Sequence, residues 1–124
     1  MQLASRVLLA FAAPMGAAGV IFAAMATHLA GGPYLTTASL FLLMHAAALL
    51  GLAALLPQVA RGQKAMLVGA GLLILGTFLF SFDLVARALM GVKLLWGTAP
   101  TGGTLMIFGW LGTAVPLLFP SKKR

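Results

Sequence analysis

The chain has 124 residues, of which 62% are hydrophobic and 7% are charged, with eight basic residues, one acidic residue and a formal net charge of +7. A soluble domain carries about 25% charged residues, and a disordered chain is polar, so this composition excludes both. Together with a mean hydropathy of +1.11, it is typical of an integral membrane protein.

The first half of the chain predicts two membrane-spanning helices. No charged residue lies between Arg6 and Arg61, a gap of 54 positions. One span needs about 20 apolar residues, so the gap holds two helices and a connector. The Gly-Gly-Pro-Tyr sequence of residues 31–34 is a turn signal. We therefore predict helices over about 7–30 and about 36–56.

The second half predicts two further helices. Residues 65–82 are uncharged, and we predict a third helix over about 65–89. Proline and glycines predict a turn at residues 98–103, which places the last helix at about 103–119. The predicted fold class is an all-α integral membrane protein, a single domain over residues 1–124 in which four transmembrane helices form an antiparallel bundle.

The basic residues predict the orientation of this bundle. Four spans place both termini and the middle loop on one side, which carries six basic residues against two on the other side. Because Lys and Arg are enriched on the cytoplasmic side, we predict that both termini are cytoplasmic and contact anionic lipid. The basic residues form no continuous face, so nucleic acid is not expected as a partner. The larger group is Arg6, Arg61, Lys64, Lys122, Lys123 and Arg124, and the smaller is Arg87 and Lys93.

Small residues at helical spacing predict close helix packing. In lipid, helices associate through small residues that let their backbones approach. The same glycines are compatible with a dimerisation face, so a homo-oligomer or a membrane-protein partner stays open. The predicted packing residues are Gly16, Gly19, Gly69, Gly76, Gly109 and Gly112.

Four polar side chains form the candidate polar or ion site. Asp83 is the only acidic side chain, and Arg87 follows four residues later, so the two share a helix face and can pair. This pair is interpreted as a structural ion pair, a proton or cation site, or a salt bridge to a partner. His28 and His45 are expected to form hydrogen bonds, with metal or haem ligation beside Met25 or Met44 as the alternative.

No motif for catalysis or metal binding is present. The chain has no cysteine, which removes thiol catalysis and thiolate ligands. It also has no Walker loop, no H-E-x-x-H sequence and no Ser-His-Asp spacing. We therefore predict no catalytic residue, no metal site and no cofactor.

Several strings resemble the domain-of-unknown-function 423 family. The turn-like segment with Pro100, Gly102 and Gly103, followed by Gly109 and Trp110, is similar to the C-terminal signature of that family. Residues 23–29, 44–47 and 80–81 are similar to further family strings. The resemblance implies a small four-helix, multi-pass protein of the bacterial inner membrane, related to transmembrane protein 256 of animals. It implies no biochemical activity.

Three functions follow from these observations. The first is a small membrane protein without catalytic chemistry that acts as an accessory, assembly or structural partner. The second is a small transporter or channel-like homo-oligomer that uses Asp83, Arg87, His28 and His45. The third is a haem- or metal-binding membrane protein.

Overall fold

The computed structural model describes residues 1–29 and 32–120, and its regular elements are helices. The four α-helices are α1 (Leu3–His28), α2 (Gly32–Leu55), α3 (Gln63–Met90) and α4 (Thr98–Thr113). Short 3-10 turns at Leu56–Gln58 and Val115–Leu118 continue α2 and α4. By length and composition, all four helices can cross a membrane, α2 and α4 together with their 3-10 turns. The predicted class, an all-α membrane protein with four spans, is confirmed.

All four helices begin earlier than the sequence predicted, α3 by only two residues, at Gln63 instead of residue 65. α1 begins at Leu3 instead of residue 7, and α2 begins at Gly32 instead of residue 36. Pro33 lies in the first turn of α2, where backbone N–H groups make no hydrogen bond within the helix, so proline is tolerated there. The predicted end of the first helix at residue 30 and Gly31 of the predicted connector lie outside the described residues.

The largest difference is at the start of α4. The turn predicted at residues 98–103 is wrong, because α4 begins at Thr98 and makes Pro100, Gly102 and Gly103 helical. The chain reverses earlier, at Gly97, whose φ of +83° lies in the left-handed region that glycine adopts without strain. Pro100 is tolerated because it lies in the first helical turn.

α1 and α2 form one antiparallel hairpin. The Ser5 hydroxyl near the start of α1 donates a hydrogen bond to the Ala53 carbonyl near the end of α2, at 2.8 Å. Gly19 lies directly against Leu43, since a Cβ atom on Gly19 would be 2.7 Å from the Leu43 Cγ. Gly16 makes a looser approach, with 3.7 Å between its hypothetical Cβ and that of Ala46.

α3 and α4 form a second antiparallel hairpin in which the two backbones touch. A Cβ atom on Gly76 would lie 2.6 Å from the Gly102 carbonyl oxygen, and one on Gly102 would lie 2.6 Å from the Gly76 oxygen. Gly69 and Gly109 face each other in the same reciprocal way, at 2.7 and 2.9 Å. A Cβ atom on Gly112 would lie 3.0 Å from the Cα of Gly69. We call these five residues the glycine seam.

The two hairpins meet along α2 and α3. The core between them includes fully buried leucines from both helices, and the Phe41 and Phe80 rings lie 4.5 Å apart. α1 touches α3 at only a few points, one of which is the edge-to-face contact of Phe11 and Phe78. The outer surfaces of all four helices carry exposed apolar side chains, as lipid contact requires.

Candidate functional site

The buried charge of the protein lies at the end of α3. The Asp83 side chain is 0% exposed, and its Oδ2 accepts from the Arg87 Nε at 2.8 Å and the Arg87 Nη2 at 2.6 Å. Its Oδ1 accepts from the backbone N–H of Leu94, at 2.9 Å. Asp83 therefore binds both its own helix and the connector between α3 and α4. We call this arrangement the Asp83 clamp.

Two glycines bring the connector to Asp83. Gly91 ends α3 with a φ of +67°, and its N–H donates to the Arg87 carbonyl at 3.2 Å. The chain then runs to Gly97, which is also left-handed and directly precedes the first residue of α4. Leu94 lies between them and belongs to neither helix, so helix formation does not satisfy its N–H. Asp83 supplies the acceptor that this donor needs.

The clamp has the chemistry of a structural ion pair. Each carboxylate oxygen already accepts at least one hydrogen bond, and the guanidinium of Arg87 compensates the charge. The Arg87 side chain is 24% exposed, so the pair lies at the edge of the packed structure. Burying an unpaired charge costs several kcal/mol of free energy. Asp83 avoids this cost because Arg87 neutralises its charge and the Leu94 N–H donates a further hydrogen bond.

His45 occupies a second polar position, between α2 and α4. Its side chain is 2% exposed. Its Nδ1 lies 2.8 Å from the Phe41 carbonyl oxygen, and the Trp110 Nε1–H donates to its Nε2 at 3.2 Å. A carbonyl only accepts and an indole N–H only donates, so His45 is neutral and carries its proton on Nδ1. Both ring nitrogens are engaged, and the Nε2 lone pair faces an indole instead of a metal.

His28 stands apart from these groups. It is the last residue of α1 and is exposed. Within the described residues, no hydrogen bond or ion pair joins His28 to His45, Asp83 or Arg87. The structure thus unites Asp83 with Arg87 and leaves both histidines outside that pair. No group of three His, Asp or Glu side chains in residues 1–29 and 32–120 is placed to hold a metal ion.

Sequence reasoning missed three contacts of this region. Trp110 was singled out as part of a family-like string, but its bond to His45 spans 65 positions and has no local signature. The sequence predicts a turn at Gly102, whereas this residue lies in the glycine seam. Its spacing of seven residues from Gly109 is the signal that indicates the seam. No sequence signal indicates the contact of the Leu94 N–H with Asp83. In addition, the buried Ser81 hydroxyl has no hydrogen-bond partner within the described residues.

Comparison with known proteins assigns the family. The family model described as "Protein of unknown function (DUF423)" matches residues 15–103, which is more than half of the chain. The chain belongs to the DUF423 family. The DUF423 match runs from the middle of α1 to the second turn of α4, so it includes both histidines and the Asp83 clamp but not Trp110. No curated protein and no solved structure matches this chain.

Proposed function

We propose that this DUF423 protein is a small, non-enzymatic membrane protein that acts as an accessory or assembly partner of other proteins in the bacterial inner membrane. One observation carries the proposal: the buried polar side chains His45 and Asp83 bond to groups of the same chain. They are therefore used to hold helices and a connector together. The surface that remains is apolar and suited to lipid or to another membrane protein.

The same geometry favours neither alternative function. A transporter that uses Asp83, Arg87, His28 and His45 needs them along one polar path, and the structure groups only Asp83 with Arg87. A haem or metal site needs a free imidazole lone pair, and both nitrogens of His45 are engaged. The proposal therefore assigns structural roles to Asp83, Arg87 and His45.

The orientation belongs to the same proposal. Arg6, Arg61 and Lys64 lie at one end of the helices, and Arg87 and Lys93 lie near the opposite end. By the distribution of basic residues, the first end is cytoplasmic, where it contacts anionic lipid. The tail residues Lys122, Lys123 and Arg124, which add to this count, lie outside the described residues.

Site-specific photo-crosslinking in native membranes tests the accessory role. A photo-reactive residue is placed at one exposed position on each helix, namely Ile21, Leu50, Val68 and Ile107. We expect one protein partner to be captured reproducibly from one or two neighbouring helices, since a specific partner covers one face. Capture of nothing but the protein itself, or equal capture of many proteins from all four positions, would contradict the proposal.

A further inference from the structure

An apolar groove runs along the outer surface between the first halves of α1 and α3. It has a volume of about 660 Å³ and exists because these two helices touch at only a few points. Its walls contain no charged side chain. Residues that define it include Leu3, Val7 and Phe11 on α1 and Leu67, Gly71 and Phe78 on α3.

The groove has the length of one leaflet of a bilayer. From Leu67 to Phe78, α3 rises about 17 Å at 1.5 Å per residue. The hydrocarbon core is about 30 Å thick, so one leaflet contributes about 15 Å. At the inner end, the Phe11 and Phe78 rings meet edge to face with centroids 6.4 Å apart, and they close the groove. It therefore ends near the middle of the membrane.

The opposite end of the groove is basic. Lys64 lies one helical turn before Leu67 and on the same face of α3, because residues three or four apart share a face. Its side chain is exposed. Because helix side chains lean towards the start of their helix and lysine extends its ammonium group to water, we expect Lys64 to reach the headgroup region. Arg6 and Arg61 lie at the same end of the molecule, and the acidic side chain of the protein, Asp83, lies near the other end of α3.

We propose that this groove binds an acyl chain of an anionic phospholipid and that Lys64 holds the phosphate of the same molecule. A chain that begins at a headgroup and ends at the bilayer centre matches a groove that is basic at one end and closed at the other. A helix of a second copy would continue past the Phe11–Phe78 contact instead of ending there. The proposal deepens the lipid contact proposed above and requires only that the chain spans a membrane.

Gly71 allows the groove to be filled without disturbing the fold. A Cβ atom on Gly71 has no atom within 4 Å, and the same is true of Gly51 on α2, which does not line the groove. The variant Gly71→Leu places a side chain in the groove, and Gly51→Leu adds the same side chain elsewhere on the surface. Both gain similar helix propensity, so Gly51→Leu is the matched control.

Native mass spectrometry of the detergent-purified protein measures the binding. Phosphatidylglycerol and phosphatidylethanolamine with identical acyl chains are titrated separately. We expect the wild-type protein and Gly51→Leu to bind one phosphatidylglycerol, and Gly71→Leu to bind it about tenfold more weakly. Lys64→Gln should lose about fivefold in affinity for phosphatidylglycerol, because it removes one lysine from beside a headgroup with a net negative charge. The loss for phosphatidylethanolamine should be smaller, because its own ammonium group offsets the charge of its phosphate.

Three results would overturn the groove site. Unchanged binding by Gly71→Leu shows that lipid lies elsewhere. Weakened binding by Lys64→Gln alone shows a surface contact without an acyl chain in the groove. Loss of a dimer peak in Gly71→Leu, with lipid binding retained, shows that a second copy occupies it. None of these results depends on the accessory partner, which the crosslinking experiment tests separately.

Discussion

Asp83 is part of an ion pair and also holds the connector between α3 and α4 in place. One oxygen faces Arg87 on the same helix, and the other accepts from the Leu94 N–H in the connector. The second bond distinguishes Asp83 from a surface ion pair, which contributes little to stability. The carboxylate is the acceptor that holds the connector against the end of α3.

Replacing Asp83 should therefore release the connector. We expect Asp83→Ala to lower the free energy of unfolding by about 1–3 kcal/mol, because the Leu94 N–H and the buried end of Arg87 lose their acceptor. Trypsin cleavage after the exposed Lys93 should become faster. Thermal unfolding in detergent and limited proteolysis measure the two effects.

Asp83→Asn is the control for this variant. It keeps an oxygen that can accept from Leu94 but loses the charge that pairs with Arg87, so its destabilisation should be the smaller of the two. If Asp83→Ala and the wild-type protein are cleaved after Lys93 at the same rate, the carboxylate does not hold the connector.

A single hydrogen bond, from the Trp110 indole to His45, joins α4 of one hairpin to α2 of the other. We expect Trp110→Phe to lower the free energy of unfolding by about 0.6 kcal/mol, the average for hydrogen bonds between helices in a membrane protein, and by no more than about 1.7 kcal/mol, the largest value found. Trp96→Phe is the matched control, because Trp96 is 99% exposed and should have almost no effect. Equal effects of the two variants in thermal unfolding would show that the indole N–H contributes nothing.

Local spacing determined which of these residue contacts could be foreseen. Asp83 and Arg87 lie four residues apart, so any helix brings them together. The contact of Asp83 with Leu94 depends on the path that Gly91 and Gly97 give the connector, and the contact of His45 with Trp110 depends on how α4 lies beside α2. Neither arrangement follows from spacing along the chain.

At the scale of the helices, the glycine seam sets how closely α3 and α4 approach each other. Backbone atoms of α3 and α4 approach so closely that a single methyl group at Gly102 would lie 2.6 Å from the Gly76 oxygen and from the Phe80 nitrogen. Backbone cannot move aside as a flexible side chain does, so the helices would have to separate. In lipid this contact is a large part of what holds the hairpin together.

The neighbouring glycines Gly102 and Gly103 offer a direct test of the seam. We expect Gly102→Ala to lower the free energy of unfolding by about 1–3 kcal/mol through overpacking. Gly103→Ala should be neutral or slightly stabilising, since a Cβ atom there has no atom within 4 Å. Melting temperatures in detergent separate the two variants, and a Gly102→Ala protein as stable as Gly103→Ala would rule out backbone contact at this position.

The start of α4 shows why the turn prediction failed. Pro100 with two following glycines favours a turn in a soluble protein, where glycine lowers helix stability. At a membrane span, the backbone must be hydrogen-bonded internally and small residues are needed for packing, so the same residues become helical. The break falls instead at Gly97, which has the positive φ.

For the whole molecule, the number of spans and their antiparallel order were predictable, and the helix faces that pack together were not. A hydrocarbon core of about 30 Å needs a helix of about 20 residues, and the lengths of the charge-free stretches therefore indicate four helices. These helices are apolar around most of their circumference, so the hydrophobic pattern marks no inner face. The pairing of α1 with α2 and of α3 with α4, and the groove between α1 and α3, come from packing alone.

The proposed orientation can be tested because the chain contains no cysteine. Lys93→Cys and Lys64→Cys each introduce one thiol at an exposed position near opposite ends of α3. With both termini cytoplasmic, a membrane-impermeant maleimide should label Lys93→Cys in intact spheroplasts and Lys64→Cys only after permeabilisation. The wild-type protein, which has no thiol, gives the background, and the reverse labelling pattern would overturn the orientation.

The Asp83–Arg87 pair also has a consequence for biosynthesis. An interaction between residues four apart becomes available as soon as the helix forms, before α4 has been made. In the proposed orientation the end of α3 must cross the membrane, and a lone charge near the helix centre costs about 2.5–3.5 kcal/mol on insertion. Asp83 and Arg87 can cross as a neutral pair. The connector between α3 and α4 then brings only Lys93 across as a net charge, which lowers the barrier to inserting this hairpin.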